Sequence, residues 1–147
     1  MNQKTQILAS ITILLGLNGC TGTRPNDLGL KEQSLKACPE KPNCVSSFAT
    51  SDEHKIAPLA LPKPIDEAKT LLKRTISGVS NAELIGESDN YLYYEFTSSI
   101  MRYVDDVEFY FTGQNGLVHV RSASRLGYSD MGANRKRIEM IRSRLPK

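Results

Sequence analysis

The stretch that decides the fold is residues 91–124, which read YLYYEFTSSIMRYVDDVEFYFTGQNGLVHVRSAS. Apolar and polar side chains alternate in YLYYEFT, in VEFYF and at the start of LVHVRSAS, and a period of two is typical of strands with one buried face. Asn115-Gly116 is a strong signal for a two-residue hairpin turn between the last two of these strands. The short turns therefore predict an antiparallel meander with one apolar face and one partly polar face.

Elements on either side of this stretch complete an α+β domain. A further short strand is predicted over Ala82–Glu87, which gives the meander four strands. A helix is predicted over Pro64–Ile76, because proline suits the first helical position and Gly78 supplies a stop. A second helix is predicted over Asp130–Leu145, with Ser129 as its N-cap. We therefore predict a four-stranded antiparallel meander sheet with two helices packed on one face.

Residues 1–19 are typical of a lipoprotein signal peptide. Lys4 gives a positive start, and Ile7–Leu17 is an apolar stretch of 11 residues, whereas a membrane span needs about 20. The stretch ends in Leu-Asn-Gly-Cys, which resembles the bacterial lipobox. This resemblance implies that Cys20 is lipidated and begins the mature chain. Ordinary cleavage after Gly19, with a free thiol at Cys20, is the alternative.

The expected anchor sets the location and organisation of the mature chain. By resemblance to bacterial sorting rules, Thr21 in place of an aspartate implies the outer membrane, facing the periplasm. Residues 20–37 are polar and aperiodic, which predicts a lipidated flexible tether. Residues 38–147 then form the globular domain. The membrane is a partner through the lipid anchor, and nucleic acid is not expected as a partner in this compartment.

The other two cysteines, Cys38 and Cys44, stand in the sequence CPEKPNC. The two prolines and the asparagine favour a tight bend, and an exported protein meets an oxidising compartment. This predicts a structural disulfide that pins an irregular segment ahead of the first helix. A redox-active or metal-binding pair is the alternative, although the C-x-x-C spacing is absent and a metal needs more ligands. No metal and no cofactor is predicted.

Charge is distributed unevenly along the chain. The net charge is +3, but residues 119–147 carry eight basic and two acidic side chains. A basic end favours an anionic ligand, acidic lipid headgroups or the acidic face of an envelope protein, and a solvated basic helix is the alternative. In VRSASRLGYS, residues 120–129, guanidinium and hydroxyl groups precede a predicted helix start, a combination that can bind an anion. The candidate anion-binding residues are Arg121, Ser122, Ser124, Arg125 and Ser129.

Two alternatives compete with such a ligand site. In the first, the two arginines pair internally with acidic residues of the neighbouring strand, namely Asp105, Asp106 or Glu108. In the second, the protein is an envelope hydrolase that uses Asp105 or Asp106 with His119. Adjacent residues of a strand point to opposite faces, so the two aspartates are not expected to act as a matched pair. The sequence favours binding over catalysis, and no catalytic residue is assigned.

Three motifs together resemble the DUF1499 family. They are CPEKPNCVSS at residues 38–47, VDDVEFYF at residues 104–111 and VRSASRLGYSDMGANRKRIE at residues 120–139. The family is of unknown function and includes bacterial lipoproteins, so the resemblance implies a domain boundary and a membrane setting rather than a reaction. The preferred interpretation is a lipid-anchored binding or interaction module of the cell envelope. An envelope hydrolase and a purely structural lipoprotein are the alternatives.

Overall fold

Six antiparallel strands form one sheet in the computed structural model, which describes residues 21–146. In chain order the elements are β1 (Cys44–Ser46), β2 (Leu59–Ala60), α1 (Ile65–Ser77), β3 (Ala82–Ser88), β4 (Tyr91–Thr97), β5 (Val104–Phe111), β6 (Leu117–Ser124) and α2 (Ala133–Arg144). The sheet order is β1-β6-β5-β4-β3, and β2 also pairs with β6. The predicted meander corresponds to β3, β4, β5 and β6.

The sheet therefore has two strands more than the four that were predicted. β1 and β2 are three and two residues long, which is too short for a period of two to be recognised in a sequence. Both lie in the segment that was predicted to be irregular, and both pair with β6. They become strands because they pair with the free edge of β6. This pairing joins residues that are far apart in the chain, so no local pattern indicates it.

Both helices pack on the same face of the sheet, as predicted. α1 lies within one residue of its predicted limits and buries Leu72 and Ile76. α2 buries Ile138 and Ile141, and all four side chains are at most 1 % exposed. They form one hydrophobic cluster with alternate residues of the sheet, which define the apolar face: Leu92, Tyr94, Phe96, Val107, Phe109, Phe111, Val118 and Val120.

The start of α2 differs from the prediction. The helix begins at Ala133, so the predicted N-cap at Ser129 is wrong. Gly132 has a φ of 77°, a left-handed conformation that separates the helix from the preceding loop. The carboxylate of Asp130 caps the helix instead, because it accepts hydrogen bonds from the backbone N–H groups of Gly132 at 2.9 Å and Asn134 at 2.8 Å.

Two local predictions are confirmed. The Asn115-Gly116 pair lies in the connection between β5 and β6, where Gly116 has a φ of 63°, although this connection is residues 112–116 and not the predicted two-residue turn. A Cβ at Gly116 would lie 2.7 Å from the carbonyl oxygen of Leu61, so the position requires glycine. The Cys38–Cys44 disulfide is present and joins the irregular segment to the first residue of β1.

Neither helix in the described part of the chain is long and apolar enough to cross a bilayer. The predicted signal peptide, residues 1–19, and the predicted lipid attachment at Cys20 lie outside the described residues. Both stay predictions.

Candidate functional site

The face of the sheet opposite the helices, here called the polar face, carries charged and phenolic side chains. They alternate with the apolar residues along β4, β5 and β6, because neighbours on a strand point to opposite sides. The strand register brings Tyr93, Glu108 and Arg121 into one row, and Glu95 and Asp106 into the next. The remaining polar-face residues of these strands include Tyr91, Tyr110 and His119.

Two arginines bind three carboxylates on the polar face. Arg121 Nη1 lies 3.3 Å from Glu108 Oε2, and the two side chains are 5 % and 0 % exposed. Arg125 Nη2 lies 2.6 Å from Asp106 Oδ1, and the same nitrogen donates to Glu95. The structure therefore pairs Arg121 and Arg125 internally with carboxylates. This is one of the alternatives that the sequence left open.

Two tyrosines complete the network. The Tyr91 hydroxyl donates to Glu108 Oε1 at 2.7 Å, and the Tyr93 hydroxyl donates to Asp106 Oδ1 at 2.5 Å. Burial raises the pKa of both tyrosines, and the neighbouring carboxylates raise it further. Both hydroxyls therefore stay protonated and act as donors.

Residues 21–36, here called the N-terminal strap, lie across the polar face. Arg24 Nε donates to Glu95 Oε1 at 2.5 Å, and the backbone N–H of Gly29 donates to Glu108 Oε1 at 2.9 Å. Gly29 has a φ of 105°, which residues with a side chain rarely adopt. A flexible tether was predicted over residues 20–37, and the structure gives Arg24 and Gly29 within it specific contacts with the sheet.

The charged forms of this network support one another. Burial raises the pKa of the Glu95 carboxyl, but hydrogen bonds from Arg24, Arg125 and Tyr93 outweigh it, so that the pKa is lowered overall. Burial lowers the pKa of Arg125, yet its hydrogen bonds to Asp106 and Glu95 raise it overall. The loss of Arg121 or Arg125 would leave a buried carboxylate without its cation, so these two arginines hold the network together.

The structure does not bring the five predicted anion-binding residues together. The two arginines lie on the polar face, whereas Ser122 and Ser124 lie on the opposite face, beside α2. There the Ser122 hydroxyl donates to Asn134 Oδ1 at 2.5 Å, and Asn134 Nδ2 donates to Ser124 Oγ at 2.9 Å. The serines are thus engaged in positioning α2 on the sheet.

The predicted helix start is also engaged. Ser129 is exposed, and its hydroxyl accepts the Met131 N–H at 3.2 Å. Burial raises the pKa of the Asp130 carboxyl, but the N–H groups of Asn134 and Gly132 outweigh this effect and lower the pKa overall. The charged carboxylate therefore occupies the amides that were expected to bind an anion.

The candidate hydrolase residues are separated as well. Asp105 lies on the helix side of the sheet, where Arg137 Nη2 donates to its Oδ2 at 2.5 Å. Asp106 lies on the polar face opposite Ala123, which is four residues along β6 from His119. At ~3.3 Å per residue this is roughly 13 Å, beyond the reach of a direct proton transfer.

His119 is instead paired with Ser47, which follows β1. Ser47 Oγ lies 2.9 Å from His119 Nδ1, and the ring of Phe48 stacks on the imidazole with centroids 4.2 Å apart. Burial lowers the pKa of His119. Ser47 Oγ also accepts the N–H of Val120 at 2.9 Å, so this pair fixes the segment after β1 to the sheet edge.

Sequence reasoning missed three residues of the polar face, Tyr91, Tyr93 and Glu95, and also Arg24 of the strap. The alternation in YLYYEFT already indicates that the three residues of β4 share one side of the strand, so a signal for them existed. Arg24 has no such signal, because its contact with Glu95 spans 71 residues of chain. Among residues 21–146, no group of three or more His, Cys, Asp or Glu side chains is placed to hold a metal ion.

A comparison with protein families matches residues 34–145 to the family described as "Protein of unknown function (DUF1499)". The match covers well over half of the chain and all six strands and both helices. Arg24 and Gly29 of the N-terminal strap lie outside it. No curated protein and no solved structure was found to match the chain.

Proposed function

The chain belongs to the DUF1499 family of proteins of unknown function, and from its polar face we propose that it is a lipid-anchored interaction module of the cell envelope. Lipid on Cys20 would hold it at the outer membrane, facing the periplasm. The polar face would bind a peptide segment that carries a basic side chain. In the free protein, the N-terminal strap occupies that position.

The observation that carries this proposal is the way in which the strap contacts the sheet. The Arg24 guanidinium reaches Glu95, and the Gly29 N–H reaches Glu108. One carboxylate thus receives a cationic side chain and another receives a main-chain amide. A peptide with a lysine or an arginine offers both groups, and hydrogen bonds to a carboxylate are stronger than neutral ones.

Charge balance supports the same class of partner. Within the family-matched residues, three carboxylates of the polar face meet two arginines: Glu95, Asp106 and Glu108 meet Arg121 and Arg125. Arg24, which supplies the third positive charge, lies outside those residues. A polar face without the strap therefore has an excess of negative charge. Such a face favours a cationic occupant.

Anion binding at the arginines is a second candidate function, and one observation favours it. Nε of Arg121 is buried and has no hydrogen-bond partner among the described residues. An anion would nevertheless have to compete with the carboxylate of Glu108, which already pairs with this arginine. The cationic peptide is therefore the preferred occupant.

Peptide binding can be tested with a chain whose own strap is released. Arg24→Ala removes the guanidinium, and Gly29→Pro removes the N–H and forbids a φ of 105°. We expect the full mature chain with both substitutions, in detergent micelles, to bind a fluorescent peptide of residues 21–36. Fluorescence anisotropy should show at least tenfold weaker binding to the wild type, whose strap is in place.

Two controls make this experiment decisive. Glu95→Gln in the released chain should weaken peptide binding, whereas Arg74→Ala, at an exposed arginine of α1, should leave it unchanged. Equal binding to wild-type and released chains would overturn the assignment to the polar face. A released chain that is folded by circular dichroism but binds neither peptide nor inorganic phosphate would favour the purely structural lipoprotein.

The anchor is tested separately on the protein extracted from bacterial membranes. Mass spectrometry should find a mature chain that begins at Cys20 and carries acyl chains, and fractionation should recover it with the outer membrane. Cys20→Ala should abolish both results. A mature chain with an unmodified Cys20 thiol would contradict lipidation but would leave the peptide-binding experiment unaffected.

A further inference from the structure

Large apolar side chains are exposed at one end of the sheet. Of the eight such side chains among the described residues, six lie in two loops: the β4–β5 loop, residues 98–103, and the β6–α2 loop, residues 125–132. Ile100 and Met131 are each 89 % exposed, and Tyr128 is 70 % exposed. The others in these loops are Met101, Tyr103 and Leu126. Clustered exposed apolar residues mark an interaction surface, whereas single ones do not.

The two loops are neighbours in the fold. β4 and β6 both run antiparallel to β5, so both end where β5 begins. The N–H of Ser98 donates to the carbonyl of Tyr103 at 2.8 Å, which closes the first loop, and the N–H of Arg125 donates to the carbonyl of Val104 at 3.2 Å. The end of one loop is thereby joined to the start of the other.

The described chain also begins at this end. Gly22 lies against the second loop, where a Cβ built on it would lie 3.1 Å from Leu126 Cγ. Only two residue steps separate Gly22 from Cys20, which is at most about 7 Å of extended chain. A lipid on Cys20 would therefore enter the bilayer beside these loops. This step rests on the lipid anchor of the proposed function.

The charges around the loops suit a membrane surface. Arg102 and Lys136 are exposed at the edges of the loops, and Arg24, two residues after Gly22, has a side chain that is 54 % exposed. The acidic residue of the second loop, Asp130, is held by the helix N–H groups. Basic residues beside apolar ones are the combination that binds anionic headgroups and the interfacial region together.

We propose that these two loops, the membrane-facing loops, insert into the interfacial region of the bilayer that holds the lipid anchor. The membrane then contacts the domain twice, once through Cys20 and once through Ile100, Met131 and their neighbours. The opposite end of the sheet, with the β5–β6 turn at Gln114, faces away from the bilayer. The lipidated protein has one fixed orientation on the membrane.

The absence of tryptophan from the sequence allows a direct test. Ile100→Trp and Met131→Trp each place a single tryptophan in a membrane-facing loop, and Gln114→Trp places one at the exposed opposite end. Each full mature lipidated chain is reconstituted into vesicles of phosphatidylethanolamine and phosphatidylglycerol with acyl chains brominated near the headgroup. We expect severalfold stronger fluorescence quenching at positions 100 and 131 than at position 114.

The other outcomes overturn the proposal. Vesicle-bound lipidated protein with equal, weak quenching at all three positions would show that the loops do not enter the membrane. A blue-shifted tryptophan at position 131 in native envelope membranes, but not in protein-free vesicles, would identify a protein as the occupant. Protein with an unmodified Cys20 that stays off the vesicles would overturn the anchor, whereas failed peptide binding would leave this orientation unaffected.

Discussion

Phe109 on the apolar face and Glu108 on the polar face are neighbours in β5, and both are 0 % exposed. Two helices bury Phe109, whereas an irregular strap and a set of ion pairs bury Glu108. Apolar burial is non-directional, so the helices need only present apolar side chains of the right volume. Polar burial requires a specific partner for each group. One face is therefore held by packing, and the other is held by a small number of contacts.

The largest expected effect tests the apolar face. Phe109→Ala removes a fully buried ring from the cluster between the sheet and the helices, and we expect a loss of about 4 kcal/mol in the free energy of unfolding. Urea unfolding followed by circular dichroism measures it. Ile100→Ala, at a side chain that is 89 % exposed, is the control and should cost less than about 0.5 kcal/mol. A loss below that of the control would show that the cluster does not hold the fold.

A somewhat smaller effect is expected on the polar face. Arg121→Met leaves Glu108 buried without its cationic partner, and a broken buried pair costs about 3 kcal/mol. The double variant Arg121→Met/Glu108→Met should recover most of that stability, because it leaves no charge of the pair uncompensated. Urea unfolding of the four proteins of this cycle gives the coupling energy. Additive losses would mean that the pair contributes nothing specific.

The next expected effect concerns the N-terminal end of α2, and its size depends on pH. Asp130→Ala removes the cap and should cost about 1 kcal/mol near neutral pH. Because the folded pKa of Asp130 lies below its ordinary value of 3.8, its contribution is complete above that value and is lost as the pH falls through the folded pKa. Thermal unfolding should therefore show the wild type and the variant converging in acid. Asp52→Ala, at an exposed aspartate outside the helices, is the control near neutral pH and should cost less than about 0.5 kcal/mol.

The smallest expected effect separates the strap from the rest of the polar face. Arg24→Ala should leave the free energy of unfolding without a measurable change. The Arg24 side chain is 54 % exposed, and exposed ion pairs contribute little to stability. Hydrogen exchange at the Gly29 amide should become faster, because the strap opens without global unfolding. Arg24→Lys should give an intermediate rate. Unchanged exchange at Gly29 would show that Arg24 does not hold the strap on the sheet.

Much of the fold could be predicted from the sequence because its signals are local. Pro64 and Gly78 mark the two ends of α1, and alternation with Asn115-Gly116 marks the last two strands of the meander. β1 and β2 could not be predicted, because three and two residues become strands only through pairing with β6. The start of α2 moved because the left-handed Gly132 ends the loop after Ser129.

The candidate site was predicted less completely. Pairing of Arg121 with Glu108 and of Arg125 with Asp106 was among the alternatives, since hairpin geometry brings β5 and β6 together. Alternation along β6 puts Arg121 on the polar face and Ser122 on the opposite face. The predicted anion site combined residues of both faces, so it could not form. Arg24 could not be predicted, because nothing in a polar segment indicates which distant carboxylate it meets.

The docked strap also sets how far the domain can stand from its attachment point. With lipid on Cys20, the first side chain held by the sheet is Arg24, four residues away, so the free chain between the anchor and the domain is at most about 14 Å long. If the strap leaves the sheet as far as Leu35, this free chain grows to about 50 Å. A partner that takes the place of Arg24 would therefore lengthen the free chain between the anchor and the domain, and the membrane-facing loops would then be the contact that keeps the domain at the bilayer.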